Sequence, residues 1–217
     1  MSATSGNTRA AGIGPGAFIA VVGASGVGKD ALMAYAREQL GGEAHFPRRV
    51  ISRPAGPAED FEPIDERGFA EIAAAGGFAM SWNAHGLAYG IRVTVDEHIR
   101  AGHAVVANVS RAVLEPLSRR YERLLVVRIV VSDEVRGARL RNRGRETTED
   151  IEARLARTDP APYFPVHAEI RNDGTLEQGG RLLLELIAEN LSHPGVGQGA
   201  PAQVVFTDCR DAGCNGV

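Results

Sequence analysis

The sequence predicts a doubly wound α/β domain on a mainly parallel central sheet. Three observations carry that prediction. The apolar, β-branched run Phe18-Ile19-Ala20-Val21-Val22 leads into a glycine-rich turn, Gly23-Ala24-Ser25-Gly26-Val27-Gly28-Lys29-Asp30, and then into a helical pattern from Ala31 to Leu40. Further apolar strands, Ala104–Val109 and Leu124–Val131, alternate with helical stretches. The chain has 217 residues, enough for one such domain with a small inserted region.

Each element has its own signal. In the first helix Leu32, Ala36 and Leu40 share one face, and Gly41-Gly42 stop it. Ala44–Arg53 reads as a short strand with Arg48, Arg49 and Arg53, ended by Pro54; a Pro/Gly/acidic loop follows. Asp65–Gly77 is a short helix closed by glycine, and Phe78–Gly90 an aromatic strand–turn–strand. About 44–92 is therefore expected to be an inserted lobe. The alternation resumes with a helix over Val93–Ala101, the strand at Ala104, and a helical connection over Arg111–Tyr121 that Pro116 should break. After the strand at Leu124 come a helix from Asp133 to Arg143, a capped helix from Ile151 to Thr158, a short strand Val166–Ile170 and a closing helix Leu176–Leu191. Residues 1–16 are Gly/Ala/Ser/Thr-rich and read as a disordered lead. Residues 192–217 read as a Gly/Pro-rich tail around Val204-Val205-Phe206.

Composition excludes several classes. A net charge of −3 gives no global attraction to nucleic acid or anionic membrane. No apolar run approaches the length of a membrane span, and the N-terminus lacks a signal-peptide core. Cys209 and Cys214 are the only cysteines, which rules out a disulfide framework and points to a cytoplasmic protein. A homodimer is left open.

The chemistry begins at Gly23–Asp30. Glycines let successive backbone N–H groups turn inward, and the helix N-terminus adds positive potential, so a strand–glycine turn–helix unit cradles phosphate. Lys29 is the only lysine; every other Lys/Arg position is arginine, so the slender ammonium stands where outer phosphates would lie. Such loops carry Ser or Thr after the lysine to meet Mg²⁺, and here the residue is Asp30. Asp30 is a candidate Mg²⁺ contact, direct or through water, or else a helix cap.

Arginine density is the second signal. Arg136, Arg139 and Arg143 share one helical face; Arg154 and Arg157 repeat that spacing. Alone, the series is a solvated basic face paired with Glu146, Glu149, Asp150 and Glu152. Beside a phosphate cradle it reads as a lid over about 136–157, with Arg139, Arg143 and Arg154 closing on a transferring group. In the inserted lobe, Arg49 and Arg53 with Trp82, His85 and Tyr89 suggest a second anion site facing the first; a small aromatic core with surface arginines reads equally well.

The order of these features resembles the guanylate-kinase-like fold over about residues 17–191: P-loop, lobe with an arginine pair and a His85-Gly86-x-x-Tyr89-Gly90 turn, arginine-rich lid, and late Asn172-Asp173-Gly174. That resemblance implies a P-loop NTPase, a three-layer sandwich with inserted substrate lobe and lid. Gly28-Lys29-Asp30, Ser81-Trp82-x-x-His85-Gly86-Leu87-x-Tyr89-Gly90, Asn108-x-Ser110-Arg111 and Asn142-Arg143-Gly144-Arg145-Glu146 look like the ribose 1,5-bisphosphate phosphokinase family of phosphonate breakdown. It implies ATP and Mg²⁺ as cofactors and a phosphorylated small-molecule acceptor, met by Arg49, Arg53, Trp82, His85, Tyr89, Asn108, Ser110 and Arg111. Guanylate kinase itself would place carboxylates at the end of the second core strand, where this chain has Asn108 and Ser110. The rival expectations are a guanylate-type nucleoside monophosphate kinase, with Glu59, Asp60 or Glu62 reading the base, and a non-catalytic kinase-like binding module.

Overall fold

The computed structural model describes residues 12–56, 59–142, 161, 163–192 and 204–206. Among the described residues six strands form a parallel sheet. In chain order they are β1 (Ile13–Val22), β2 (Ala44–His45), β7 (Ala104–Asn108), β8 (Tyr121–Val130), β9 (Ala168–Arg171) and β10 (Val204–Phe206), arranged in space as β10-β9-β8-β1-β7-β2. A smaller sheet of four strands, ordered β4-β3-β6-β5, is built from β3 (Val50–Ile51), β4 (Glu62–Pro63), β5 (Phe78–Ala84) and β6 (Leu87–Arg92).

Strand periodicity divides the core. Ile19, Val21, Val106, Val127 and Ile129 face one side, where α1 (Lys29–Leu40) and α6 (Leu176–Ser192) cover them with Leu32, Ala36, Leu183 and Ile187. The alternate residues Phe18, Ala20, Val22, Val105 and Val126 face the other side. There α3 (Val95–Arg100) and α4 (Leu114–Arg120) supply Val95, Ile99, Leu114 and Leu117. Met80 and Ile91 of the smaller sheet are buried in this second cluster, which ties that sheet to the main one. Among the described residues the remaining helices are α2 (Glu66–Ala74), capped by Asp65 through Gly68 N at 2.7 Å, and α5 (Asp133–Asn142).

Four elements differ from expectation. The single strand over 44–53 is two, and they part company: β2 pairs with β7 in the main sheet, whereas β3 pairs with β4 and β6. The first strand begins at Ile13, because β8 reaches back to Tyr121 and Ile13 pairs with it. Pro116 does not break its helix. It lies in the first turn of α4, after a 3₁₀ turn over Arg111–Val113, where a missing N–H removes no helical bond. Val204–Phe206 pairs with β9 as a parallel edge strand.

Candidate active site

The glycine-rich turn joins the C-terminal end of β1, at the centre of the sheet, to α1. This is where a parallel sheet leaves a crevice for ligands. Gly23 (φ 148°) and Gly28 (φ 95°) hold conformations that a side chain resists. Space forbids one as well: a Cβ on Gly23 would lie 2.4 Å from Ile129 O, and one on Gly28 2.6 Å from Asn172 Nδ2. The Lys29 ammonium donates to Gly23 O at 2.8 Å and Ala24 O at 2.9 Å, so it stands inside the curl.

A cavity of about 610 Å³ opens over this turn. Its floor is Gly23–Gly26 and Gly28–Ala31; its walls bring in Arg49, Trp82, His85, Tyr89, Asn108, Ser110, Arg111 and Arg136. Trp82 and Tyr89, register partners on β5 and β6, stack with centroids 5.5 Å apart. His85 sits at the tip between those strands with φ 55°, and Gly86 follows with φ 71°. Ser110 caps the 3₁₀ turn, its hydroxyl accepting from Ala112 N at 3.2 Å. Arg111 donates to Ala161 O at 2.7 Å.

Asp30 does not cap α1, which has Gly28 at its N-cap and no side-chain cap bond. Its Oδ1 instead accepts from Asn108 Nδ2 at 2.7 Å and from Arg49 Nη2 at 3.3 Å, with 71% of the side chain exposed. Among the described residues no three His, Cys, Asp or Glu side chains converge as a metal-binding group.

Two arginines stand elsewhere than the sequence suggests. Arg53 forms a two-pronged pair with Glu59 at 2.8 and 2.9 Å and lies over the Phe61 ring. The Glu59 bond holds its guanidinium above the usual arginine range. It lines a neighbouring cavity and not the one walled by Trp82, His85 and Tyr89, although Tyr89 lies near enough to act on its charge. Arg139 lies behind the turn, donating to Val27 O at 3.3 Å and Asn172 O at 2.9 Å. Arg136, one turn earlier on α5, faces the cavity and donates to Ser25 O at 3.1 Å. Arg143 and Arg154 lie outside the described residues.

In the sequence Arg136 reads only as one member of the lid's arginine face and Asn172 only as part of a motif, neither with a contact of its own. Asn172 is buried and donates Nδ2 to Val27 O at 2.8 Å, so the turn is braced from α5 and from the end of β9. The three-residue spacing of Arg136 and Arg139, and the Asn172-Asp173-Gly174 motif, were the available signals.

No family model matches the chain. It is 59% identical over 182 residues to a ribose 1,5-bisphosphate phosphokinase PhnN of Pseudofrankia inefficax, covering 84% of this chain and 96% of that one. A protein of the same name from a Chelativorans species is 45% identical over 177 residues, covering 79% and 85%. Among solved structures, a guanylate kinase from Anaplasma phagocytophilum superposes with a TM-score of 0.60 over 82% of this chain and 88% of that one. Its 14% identity speaks for the fold alone. A phosphate cradle under an arginine-lined cavity, set in a guanylate-kinase-like fold and carried by a sequence this close to those relatives, leads to one assignment: the chain belongs to the ribose 1,5-bisphosphate phosphokinase family.

Proposed function

We propose that this protein transfers the γ-phosphoryl group of ATP to the 1-phosphate of ribose 1,5-bisphosphate, giving 5-phosphoribosyl 1-diphosphate and ADP. The observation that carries this reading is the distribution of charge around the turn. Lys29, Arg49, Arg111 and Arg136 face the cavity. The acidic residues that a guanylate-type kinase would use on a base each face arginine: Glu59 is held by Arg53, Glu62 pairs with Arg92, and Asp60 meets Arg37 and Arg48 in exposed contacts. Such a lobe suits a doubly phosphorylated acceptor better than a purine.

The nucleotide phosphates would lie along Gly23–Asp30, with backbone N–H groups and Lys29 taking the outer oxygens. An oxygen of the 1-phosphate forms the new P–O bond as the bond from the γ-phosphorus to the bridging oxygen breaks, and ADP leaves with that electron pair. The attacking oxygen is already ionised at neutral pH, so no general base is required. Arg49 and Arg136 would offset charge on the transferring group, and Trp82, His85, Tyr89 and Ser110 would line the acceptor's place. Arg139 and Asn172 hold the turn in shape from behind. Arg143 and Arg154 would complete closure from the lid, which limits water attack on ATP.

Mg²⁺ is part of this reading, and the donor set suits it. The ion typically takes one or two carboxylates and fills its shell with phosphate oxygens and water, and Asp30 offers one exposed carboxylate at the cavity floor. Bound there it would neutralise charge on the β- and γ-phosphates. A coupled assay of ADP release tests the proposal with ribose 1,5-bisphosphate, with GMP and with neither. Release driven by the sugar supports it. Release driven by GMP assigns the guanylate-type activity, and none with either acceptor assigns a binding module.

A further inference from the structure

Beside the cavity over Lys29 lies another of about 430 Å³, and the two share Asp30, Arg49 and Asn108. Its far wall carries Arg37, from the last turn of α1, and Arg48, just before β3. The mechanism so far uses neither. Both reach the same carboxylate: Arg37 Nη1 lies 2.8 Å from Asp60 Oδ2, and Arg48 Nε 3.1 Å from Asp60 Oδ1. These side chains are about half exposed, so the pairs are weakly held and exchange readily. Arg53 contrasts with them. Its carboxylate, Glu59, is bound through both oxygens, is less exposed and also accepts from Gly56 N at 2.8 Å. Arg53 is therefore committed, while Arg37 and Arg48 converge on a single replaceable anion, Arg48 with its Nη2 also anchored on Phe61 O at 2.6 Å and its Nε turned to Asp60.

We propose that this second cavity seats the 5-phosphate of the acceptor, bound by Arg37 and Arg48, with Asp60 holding that place until substrate displaces it. The inference rests on the acceptor being ribose 1,5-bisphosphate. The 1-phosphate must face the γ-phosphate over Lys29, so the other phosphate extends away from the turn, past Arg49 and Asn108, into the adjoining space. Two guanidinium groups that meet one carboxylate meet the three oxygens of a phosphate dianion with more bonds and more charge.

The test pairs two acceptors with three variants, Arg37→Gln, Arg48→Gln and Asp60→Asn, at saturating ATP. Ribose 1-phosphate serves as the acceptor without a 5-phosphate. Each arginine variant is expected to lose about ten- to a hundredfold in kcat/KM for ribose 1,5-bisphosphate, the effect of one charge-assisted bond. The loss with ribose 1-phosphate should be several times smaller. Asp60→Asn should move the other way, lowering KM for the bisphosphate, because the competing anion is gone. A structural role alone would lower activity on both acceptors in all three variants. Equal losses on the two acceptors, no loss, or a weakened bisphosphate KM in Asp60→Asn overturns the inference. A wild-type protein that uses GMP and neither sugar overturns the acceptor reading beneath it. A wild-type protein that uses the bisphosphate, with the acceptor ratio unchanged in the arginine variants, overturns this inference alone.

Discussion

Asn172→Ala tests whether the nucleotide turn is held in shape from behind. The Val27 carbonyl takes two side-chain bonds, from Asn172 Nδ2 at 2.8 Å and Arg139 Nη1 at 3.3 Å. Removing the amide leaves the longer one. An orphaned buried acceptor costs about 1–3 kcal/mol. Two features place this case at the low end. Arg139 still reaches the carbonyl, and Asn172 Oδ1, which is buried without a hydrogen-bond partner, disappears with the side chain. The expected cost is about 1 kcal/mol. If it falls on the shape that binds phosphates, KM for ATP rises about fivefold while KM for the sugar acceptor stays near wild type. Arg139→Ala should act in the same direction, and Arg139→Ala/Asn172→Ala should exceed the sum of the singles by about 1 kcal/mol, because only the double variant strips both bonds from one carbonyl. Steady-state kinetics on the four proteins, with urea midpoints in parallel, provide the readout. Urea midpoints that fall while KM for ATP stays unchanged, or strictly additive effects on that KM, would refute the brace.

Further outcomes follow from the same geometry. Asp30→Asn should weaken Mg²⁺ binding, raising the Mg²⁺ concentration for half-maximal rate; full activity with an unchanged Mg²⁺ titration removes Asp30 from metal contact. Arg143→Ala, motivated by the lid pattern in the sequence, should lower kcat about a hundredfold or more, and a near-normal rate takes it out of the mechanism. His167 accepts from Val126 N at 3.0 Å through Nδ1, and burial holds its pKa below the ordinary 6.5. The folded protein then binds fewer protons than the unfolded chain below pH 6.5, so stability falls as pH drops through that value. The drop in urea midpoint from about pH 7.5 to about pH 5.5 should be smaller in His167→Gln than in wild type; equal drops remove His167 as the cause.

The nucleotide half of the site is legible in sequence because its demands are local. Gly23, Gly28 and Lys29 act through backbone shape and one side chain, and Leu32, Ala36 and Leu40 announce the helix behind them by spacing alone; all three are buried. The acceptor half is not, because it depends on which element lies beside which. Val50–Ile51 and Ala44–His45 are two-residue strands whose propensities cannot say that they join different sheets. Arg136 and Arg139 share a helix face, yet only the packing of α5 against the turn puts one at the cavity and the other behind it. Arg53 was legible as a cation but not as the partner of Glu59, six residues on.

The contact of an acid with an amide ties the halves together. Asn108 is 8% exposed at the end of β7, and its amide touches Asp30 on α1. Carboxylates at both positions would stand in direct contact, and the buried one would be driven to keep a proton. Only one position can hold a charged acid, and in this chain it is the exposed one beside Arg49. The neutral Asn108 then lies where both cavities meet, on the route proposed for a doubly phosphorylated sugar. A charged carboxylate there would repel both phosphates in a poorly solvated place, whereas an amide can donate to either. On this argument Asp30 and Asn108 form one adaptation. The acid stands on the helix, where solvent and Arg49 screen it, and the strand end is neutral for an acceptor that brings its own negative charge.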